Sequence, residues 1–368
     1  IVPDDWPLFG GRIGTYGGKS FNKTIQQADF ALVLGCRLSG RITGGNTKSF
    51  LQNARRAHGI WHVDLDNSVL TDMESDVPHR QRIHADVGDF LAKAQYRVRG
   101  MAEITPKTFR EWRAQVSECR DSCDPVTLHT GVMVSACPVC MATGTTNERG
   151  SATHADGCTY TSKYLQTSLN PYLFIRELSR LAPDNAVVVS EVGGNAVIFH
   201  QAWESKLGQR IFSSHGGSAM GQGLPMAIGA AIAQPDRPVI AVIGDGGFTL
   251  AAAELNTVRV QRARLKNLRV FVLNNKILGI TKRWQTVNLA GRTFACGPEP
   301  ESGYEAPDIV KVCEAYGIVA FSHEELSALL VPQTEPVVVD VPCPSWDRYL
   351  PAVRGWNTPI DQMTTEEP

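Results

Sequence analysis

The stretch that decides the fold reads Ile-Gly-Asp-Gly-Gly-Phe over residues 243–248, and a later apolar run closes in Val-Leu-Asn-Asn over residues 272–275. An acidic residue in a glycine turn after one strand, and an amide at the tip of the next strand, can bind one small hard cation together. Mg²⁺ prefers near-octahedral oxygen ligation and usually takes one or two protein groups with phosphate oxygens and water. Asp245 and Asn275 are therefore the predicted metal ligands.

The glycines around Asp245 predict a site for a diphosphate. Gly244, Gly246 and Gly247 leave room for the backbone to approach such a group and allow backbone angles that other residues avoid. A helix beginning near Phe248 would present free N–H groups to the anion. Taken alone, Gly-Asp-Gly is most often a turn and Asn-Asn after a strand is most often a cap, so the order and spacing of the two carry the prediction.

Gly244-Asp245-Gly246, 27 intervening positions and Asn274-Asn275 together resemble the thiamine diphosphate motif of the acetolactate synthase and pyruvate decarboxylase superfamily. Segments 190–195, 216–230, 283–285 and 303–308 resemble other parts of the same domain. The resemblance implies Mg²⁺ ligation by Asp245, Asn275 and the carbonyl oxygen of Ile277, and it makes Met220 the apolar residue that holds the cofactor in its bent form. The implied cofactor-binding residues are Gly193, Asn195, Ser218, Met220, Gly244, Asp245, Gly246, Gly247, Asn275, Ile277 and Leu278.

The resemblance also implies a reaction class and a partner. The reaction would be decarboxylation of a 2-keto acid such as pyruvate, with transfer of the acyl carbanion to a carbonyl acceptor, which is transferase or lyase chemistry. Nothing in the chain matches the family's pyrimidine-binding domain, which carries the catalytic glutamate. We therefore expect a homo-oligomer or a separate chain that supplies this domain. The alternative is a catalytically inactive or regulatory chain of the same fold.

Composition sets the outer bounds on function. The chain has 368 residues, of which 43% are hydrophobic and 20% charged, and its formal net charge is -1, so two ordinary domains with proper cores are expected. Dispersed Lys and Arg give no basic footprint for nucleic acid or an anionic membrane, and neither is expected as a partner. The sequence shows neither an apolar run of about 20 residues nor an export pattern, and its nine cysteines suit a reduced compartment. A cytoplasmic protein is expected.

Strand and helix patterns alternate along the chain and predict an α/β protein with two doubly wound parallel sheets. Strands are predicted over residues 31–35 and 60–64 in the first domain, and over 186–190, 239–243, 268–273 and 337–341 in the second. The predicted domains are a Rossmann-like middle domain over 1–115, incomplete at its N-terminal side, a Cys-rich linker over 116–165, a thiamine diphosphate domain over 166–345 and a tail over 346–368.

The first domain resembles the middle domain of the same family, in which matching segments of acetolactate synthases help to bind FAD. By this resemblance the FAD candidates are Gly14, Gly17, Arg37, Asp64 and Asp66. The sequence departs from the family pattern by having Tyr16, Ser39 and Val69 where those synthases usually carry His, an acidic residue and Glu. A Rossmann-like domain that has lost its ligand is the alternative.

The linker concentrates cysteines that could bind zinc. Cys119, Cys123, Cys137 and Cys140 supply four thiolates in loop-like sequence, and structural zinc needs four such ligands. Their spacing matches no known zinc module. A loop-like insertion with incidental thiols is the alternative.

Overall fold

The computed structural model describes residues 4, 9–71, 80–98, 170–297, 303–322, 334–343, 349, 352–353, 359 and 362–364. The chain divides into two compact units, with the described residues between 10 and 98 in the first and those between 170 and 349 in the second. Each unit has its own sheet and its own buried apolar core.

The first unit contains a three-stranded parallel sheet in the order β1-β2-β3, formed by β1 (Phe30–Leu34), β2 (Gly59–Asp64) and β3 (Gln81–His84). Its helices are α1 (Lys19–Gln27), α2 (Gly40–Thr43), α3 (Gln52–Arg56), α4 (Asn67–Thr71) and α5 (Val87–Val98). The core packs strand residues against α3 and the loop before it, and consists of Ala31, Leu38, Phe50, Leu51, Ala54 and Ile60.

The second unit contains a six-stranded parallel sheet in the order β5-β4-β6-β7-β9-β8. Its strands are β4 (Val187–Ser190), β5 (Arg210–Ser213), β6 (Val239–Gly244), β7 (Leu268–Asn274), β8 (Val319–Ser322) and β9 (Val337–Pro342). Its helices are α6 (Pro171–Leu181), α7 (Gly194–Ala202), α8 (Gly223–Ala233), α9 (Asp245–Leu250), α10 (Leu255–Val260), α11 (Gly279–Asn288) and α12 (Ile309–Ala315), with 3₁₀ turns at Ala252–Glu254 and Arg262–Arg264. A short antiparallel pair, β10 (Ala352–Val353) and β11 (Met363–Thr364), groups with the first unit.

The inner strands of the second sheet are mostly apolar because helices cover both faces of a parallel sheet. All seven residues of β7 are buried, as are all four of β4. The chain runs from β4 outward to β5 and then returns past β4 to β6, so the strand order reverses between β4 and β6. In open α/β sheets ligands bind beyond the carboxyl ends of the strands at such a point.

The fold class and all six predicted strands are confirmed, each within one residue at either end. Strands β3, β5 and β8 were not predicted; each is a four-residue strand at the edge of its sheet, and none of them contains a fully buried residue. The helix expected near Phe248 begins three residues earlier, at Asp245, because the glycine turn itself adopts helical geometry.

The predicted zinc ligands and the Cys-rich linker lie outside the described residues, so both stay predictions. Within the described residues there is no group of three or more His, Cys, Asp or Glu side chains placed to hold a metal ion. The helices of those same residues include none with the length and apolar character that crossing a membrane requires.

Candidate functional site

Three neighbouring strands of the second sheet end at the same edge and place polar residues there. The register aligns Ser190 of β4 with Val242 of β6, and Gly244 of β6 with Leu273 of β7. The residue that follows each strand end therefore reaches the same edge. A cavity of about 80 Å³ lies there, which is room for several water-sized groups.

Ten of the eleven predicted cofactor-binding residues line this one cavity. The ten are Gly193, Asn195, Met220, Gly244, Asp245, Gly246, Gly247, Asn275, Ile277 and Leu278. Ser218 is not among the lining residues. Its hydroxyl donates a hydrogen bond to the carbonyl oxygen of His215 at 3.1 Å, and its backbone has a left-handed φ of 51°. In this structure Ser218 thus shapes the turn before Met220.

Asp245 is a buried carboxyl with one oxygen unsatisfied. Its Oδ1 accepts a hydrogen bond from the N–H of Gly246 at 2.9 Å, whereas Oδ2 is buried and has no partner of normal hydrogen-bond geometry among the described residues. Burial raises the pKa of Asp245 to about 6. The Tyr304 hydroxyl lies near the same carboxyl, and its own pKa is raised by burial and by the charge of Asp245. A carboxylate in this position is stabilised by a cation, since an isolated buried charge is costly.

Asn274 and Asn275 point to different surroundings. The amide of Asn274 donates to Asp340 Oδ1 at 3.0 Å, away from the cavity lining. Asn275 lines the cavity, and its Oδ1 accepts a hydrogen bond from the N–H of Ile277 at 3.4 Å. Lys276, which lies between Asn275 and Ile277, has a left-handed φ of 58°, which turns the chain back toward the cavity. The prediction that Asn275 rather than Asn274 faces the site agrees with this geometry.

The glycine turn lies close to the side chains that cover it. A Cβ at Gly246 would lie 2.9 Å from Leu278 Cδ2 and 3.1 Å from Met220 Cε. Met220 is 46% exposed although it lines the cavity. Its side chain therefore borders both the glycine turn and the open side of the site, where a bound molecule would cover it.

Sequence reasoning missed four polar or aromatic lining residues: Glu191, Thr281, Cys343 and Tyr349. Glu191 is 2% exposed, and burial raises its pKa to about 7. Its position directly after β4 was a usable signal, because Asp245 stands in the same place after β6. Cys343 is buried, with its thiol pKa raised by burial, and the Tyr349 hydroxyl lies against Gly194. Neither residue carries a local pattern that points to the site.

The FAD candidates of the first unit are occupied by contacts with their own chain. The side chain of Asn22 makes hydrogen bonds to both backbone groups of Gly14. Its Oδ1 accepts from the Gly14 N–H at 2.7 Å, and its Nδ2 donates to the Gly14 carbonyl oxygen at 2.9 Å. A side chain at Gly17 would overlap the Arg12 carbonyl, so close backbone packing accounts for this glycine. Asp64 ends β2 and Asp66 lies two residues after it, and each accepts a hydrogen bond from the backbone N–H two positions ahead, at 2.9 and 2.8 Å. Arg37 is exposed after β1.

Comparison with known families matches both units. Residues 191–341 match the family described as "Thiamine pyrophosphate enzyme, C-terminal TPP binding domain", and residues 1–94 match "Thiamine pyrophosphate enzyme, central domain". Together the two matches cover about two thirds of the chain.

Individual relatives point the same way. The chain is 26% identical over 327 residues to a probable acetolactate synthase large subunit of Methanococcus aeolicus, covering 87% of this chain and 47% of that protein. It is 28% identical to the acetolactate synthase isozyme 1 large subunit of Escherichia coli, covering 80% of this chain and 43% of the relative. To the chloroplastic acetolactate synthase of Arabidopsis thaliana it is 26% identical, with 96% and 47% covered. The chain spans about half the length of the curated relatives it matches.

Proposed function

Because this chain belongs to the thiamine pyrophosphate enzyme family, we propose that the cavity beyond β6 and β7 binds thiamine diphosphate together with Mg²⁺. The observation that carries the proposal is the buried, unpartnered Oδ2 of Asp245 in a cavity that Asn275 and Ile277 also line. A carboxylate, an amide and a backbone carbonyl are oxygen donors of the kind Mg²⁺ prefers. The residues present therefore fit the ion and the diphosphate it would carry.

Each group of residues has a distinct role in this proposal. Asp245, Asn275 and the carbonyl of Ile277 bind the ion, and the glycines of the 244–247 turn leave the backbone accessible to the diphosphate. Met220 and Leu278 form the apolar side of the cavity. When bound, thiamine diphosphate supplies the carbanion chemistry, and the protein supplies binding and orientation. The contribution of this chain is anchoring and exclusion of water from one side of the cofactor.

The proposed reaction is decarboxylation of a 2-keto acid such as pyruvate and transfer of the acyl group to a carbonyl acceptor. It is supported by the similarity to proteins named acetolactate synthase. The proposed partner is a second copy of the chain or a separate polypeptide that supplies a pyrimidine-binding domain and its glutamate. Release of CO₂ from pyruvate by the complete assembly would test the reaction.

A catalytically inactive or regulatory chain of the same fold is the alternative function. The two functions differ in one measurable respect. The inactive chain binds thiamine diphosphate without releasing CO₂ from pyruvate, even when the polypeptides that copurify with it are present.

The anchoring role is tested by titrating thiamine diphosphate and Mg²⁺ into the purified chain by calorimetry. In Asp245→Ala we expect the affinity to fall at least about 30-fold, because removing one partner of a desolvated charge pair costs about 2–5 kcal/mol. The matched control is Asp236→Ala, an exposed aspartate in the loop before β6, at the opposite edge of the same sheet. Equal affinity in wild type and Asp245→Ala would contradict the proposed ion site.

FAD binding by the first unit is a second, separate proposal, supported only by its similarity to the central domain of the family. Gly14, Gly17, Arg37, Asp64 and Asp66 are the proposed contacts. A protein purified under native conditions that absorbs near 450 nm after reconstitution with FAD would support it. A colourless protein after the same treatment would count against it.

A further inference from the structure

Glu191 is the buried carboxyl of the cavity to which the proposed function gives no role. Its backbone is fixed at the end of β4, since its N–H donates to the Val242 carbonyl at 3.0 Å and its own carbonyl accepts from Asn195 Nδ2 at 3.2 Å. The side chain is 2% exposed, and Glu191 lines the cavity. The burial of the carboxyl and its hydrogen bond from the Gly221 N–H restrict the position of the side chain.

One set of contacts joins Glu191 to the turn that follows Met220. The Gly221 N–H donates a hydrogen bond to Glu191 Oε1, and the N–H groups of Gln222 and Gly223 also face the carboxyl and favour its ionised form. Gly221 has a left-handed φ of 83°, so the turn uses a backbone conformation that few residues other than glycine adopt. A carboxylate that receives several N–H groups stabilises such a turn.

A second set of contacts joins Glu191 to the glycines on either side of it. A Cβ at Gly247 would overlap the carboxylate, and a Cβ at Gly223 would lie 2.9 Å from both Cβ and Oε2 of Glu191. Real Cβ atoms do not approach other atoms so closely. The carboxylate therefore occupies the space that a side chain at position 247 would need, and the second glycine after Asp245 is explained by Glu191 as well as by the diphosphate.

From these contacts we infer that Glu191 is a positioning residue of the proposed cofactor site. It holds the turn over residues 221–223, and with it Met220, against the glycine turn over residues 244–247, and it requires glycine at position 247. The inference deepens the proposed function, and it rests on that function for the assumption that this cavity binds the cofactor. The packing it describes exists without any bound molecule.

A double-substitution cycle tests the shared space in the full chain without ligand. Gly247→Ala is expected to lower the unfolding midpoint by about 5 °C, because overpacking a filled site destabilises it. Glu191→Asp shortens the side chain by one methylene, and the double variant is expected to recover at least half of that loss. Gly229→Ala on α8 is the matched control, since its Cβ would meet no atom within 4 Å. Purely additive effects in the cycle would overturn the inference.

Hydrogen exchange tests the turn directly. In Glu191→Ala the amides of a peptide covering 216–224 are expected to exchange at least about 10-fold faster, because the acceptor of the Gly221 N–H is gone. Glu177→Ala, an exposed glutamate on α6, is the control and should leave this peptide unchanged. Unchanged exchange in Glu191→Ala would overturn the inference.

Ligand affinity distinguishes a positioning role of Glu191 at the cofactor site from a general contribution to the stability of the unit. Because Met220 precedes the turn, Glu191→Asp should weaken binding of thiamine diphosphate about 10-fold, or about 1.4 kcal/mol, and binding of Mg²⁺-pyrophosphate less than about 2-fold. Equal weakening of both ligands would overturn the positioning role. If the wild-type chain binds neither ligand, the proposed function fails, while the cycle and the exchange experiment still decide what Glu191 does.

Discussion

Two buried carboxyls in one cavity have different requirements at the scale of the residue. Each has one buried oxygen without a partner of normal hydrogen-bond geometry among the described residues, Oδ2 of Asp245 and Oε2 of Glu191. The other oxygen differs, because Asp245 Oδ1 accepts from the N–H of the adjacent Gly246, whereas Glu191 Oε1 accepts from the N–H of Gly221 in a turn distant in sequence. Burial raises both pKa values, to about 6 and about 7 respectively. The same physical cause thus acts on the proposed metal ligand and on the proposed positioning residue.

Stability of the ligand-free chain should depend on pH through these carboxyls. The pKa of Glu191 rises from 4.5 to about 7 on folding, so its contribution to the free energy of unfolding is full below about pH 4.5 and is lost as pH rises through about 7. The loss is on the order of 3 kcal/mol, at about 1.36 kcal/mol per pKa unit. Asp245 acts in the same direction between its ordinary pKa of 3.8 and about 6.

The measurement is urea unfolding with EDTA present at several values between pH 5 and pH 8. Wild type should lose stability across this range, and Glu191→Gln should remove most of the slope because it does not titrate. The exposed Glu177→Gln serves as the control and should follow wild type. Identical slopes in wild type and Glu191→Gln would show that Glu191 does not carry the effect.

At the scale of the element, helices that pack on the faces of the sheet support the strands that end at the site. Helix α6 packs on β7 through Phe174, whose ring lies 5.8 Å from that of Phe271. Its start is capped by Asn170, whose Oδ1 accepts from the N–H groups of Tyr172 at 2.9 Å and Leu173 at 3.4 Å. The strand that ends in Asn274 is therefore supported by a capped, amphipathic helix.

Removing this cap should affect stability and leave the site intact. Asn170→Ala is expected to cost about 1 kcal/mol, which corresponds to a fall of about 2–4 °C in the unfolding midpoint of a unit of this size. Asn170→Asp, which keeps a capping oxygen, is the control and should change the midpoint by less than half as much. The affinity for thiamine diphosphate should stay within about 2-fold in both. A large loss of affinity in Asn170→Ala would mean that α6 bears on the site directly.

At the scale of the whole molecule, two units carry separate cores, and the proposed cofactor cavity belongs to one of them. A ligand that binds only the folded form stabilises it by mass action, by about 2.7 kcal/mol at a concentration 100 times its Kd. The stabilisation should reach the unit that holds the cavity and should not extend to the core around Ile60.

Thermal unfolding with and without ligand checks this expectation. Thiamine diphosphate with Mg²⁺ should raise the transition of the unit that contains the buried Trp203, in proportion to the logarithm of ligand concentration. EDTA should reverse the shift. Asp245→Ala should need at least about 30-fold more ligand to reach the same shift. A shift that persists in EDTA would indicate that the ligand binds without the ion.

Much of the candidate site could be predicted because its main residues follow strands that are recognisable in the sequence. Continuous apolar runs identify inner strands such as β6 and β7, and the residue after each of them must reach the carboxyl edge of the sheet. Edge strands such as β5 escaped prediction, since one side of each has no neighbouring strand and its residues alternate between exposed and half-buried.

The sequence by itself determined the parallel α/β fold and the family, and it led to the proposed oxygen donors at residues 245 and 275, because each depends on local patterns and on spacing along the chain. Only the tertiary structure decided which side chains meet in the cavity. Glu191 shares its space with Gly247, and Tyr349 lies against Gly194, through contacts between segments far apart in sequence. Such contacts arise from the way the strands and helices pack, and no local pattern of residues encodes them.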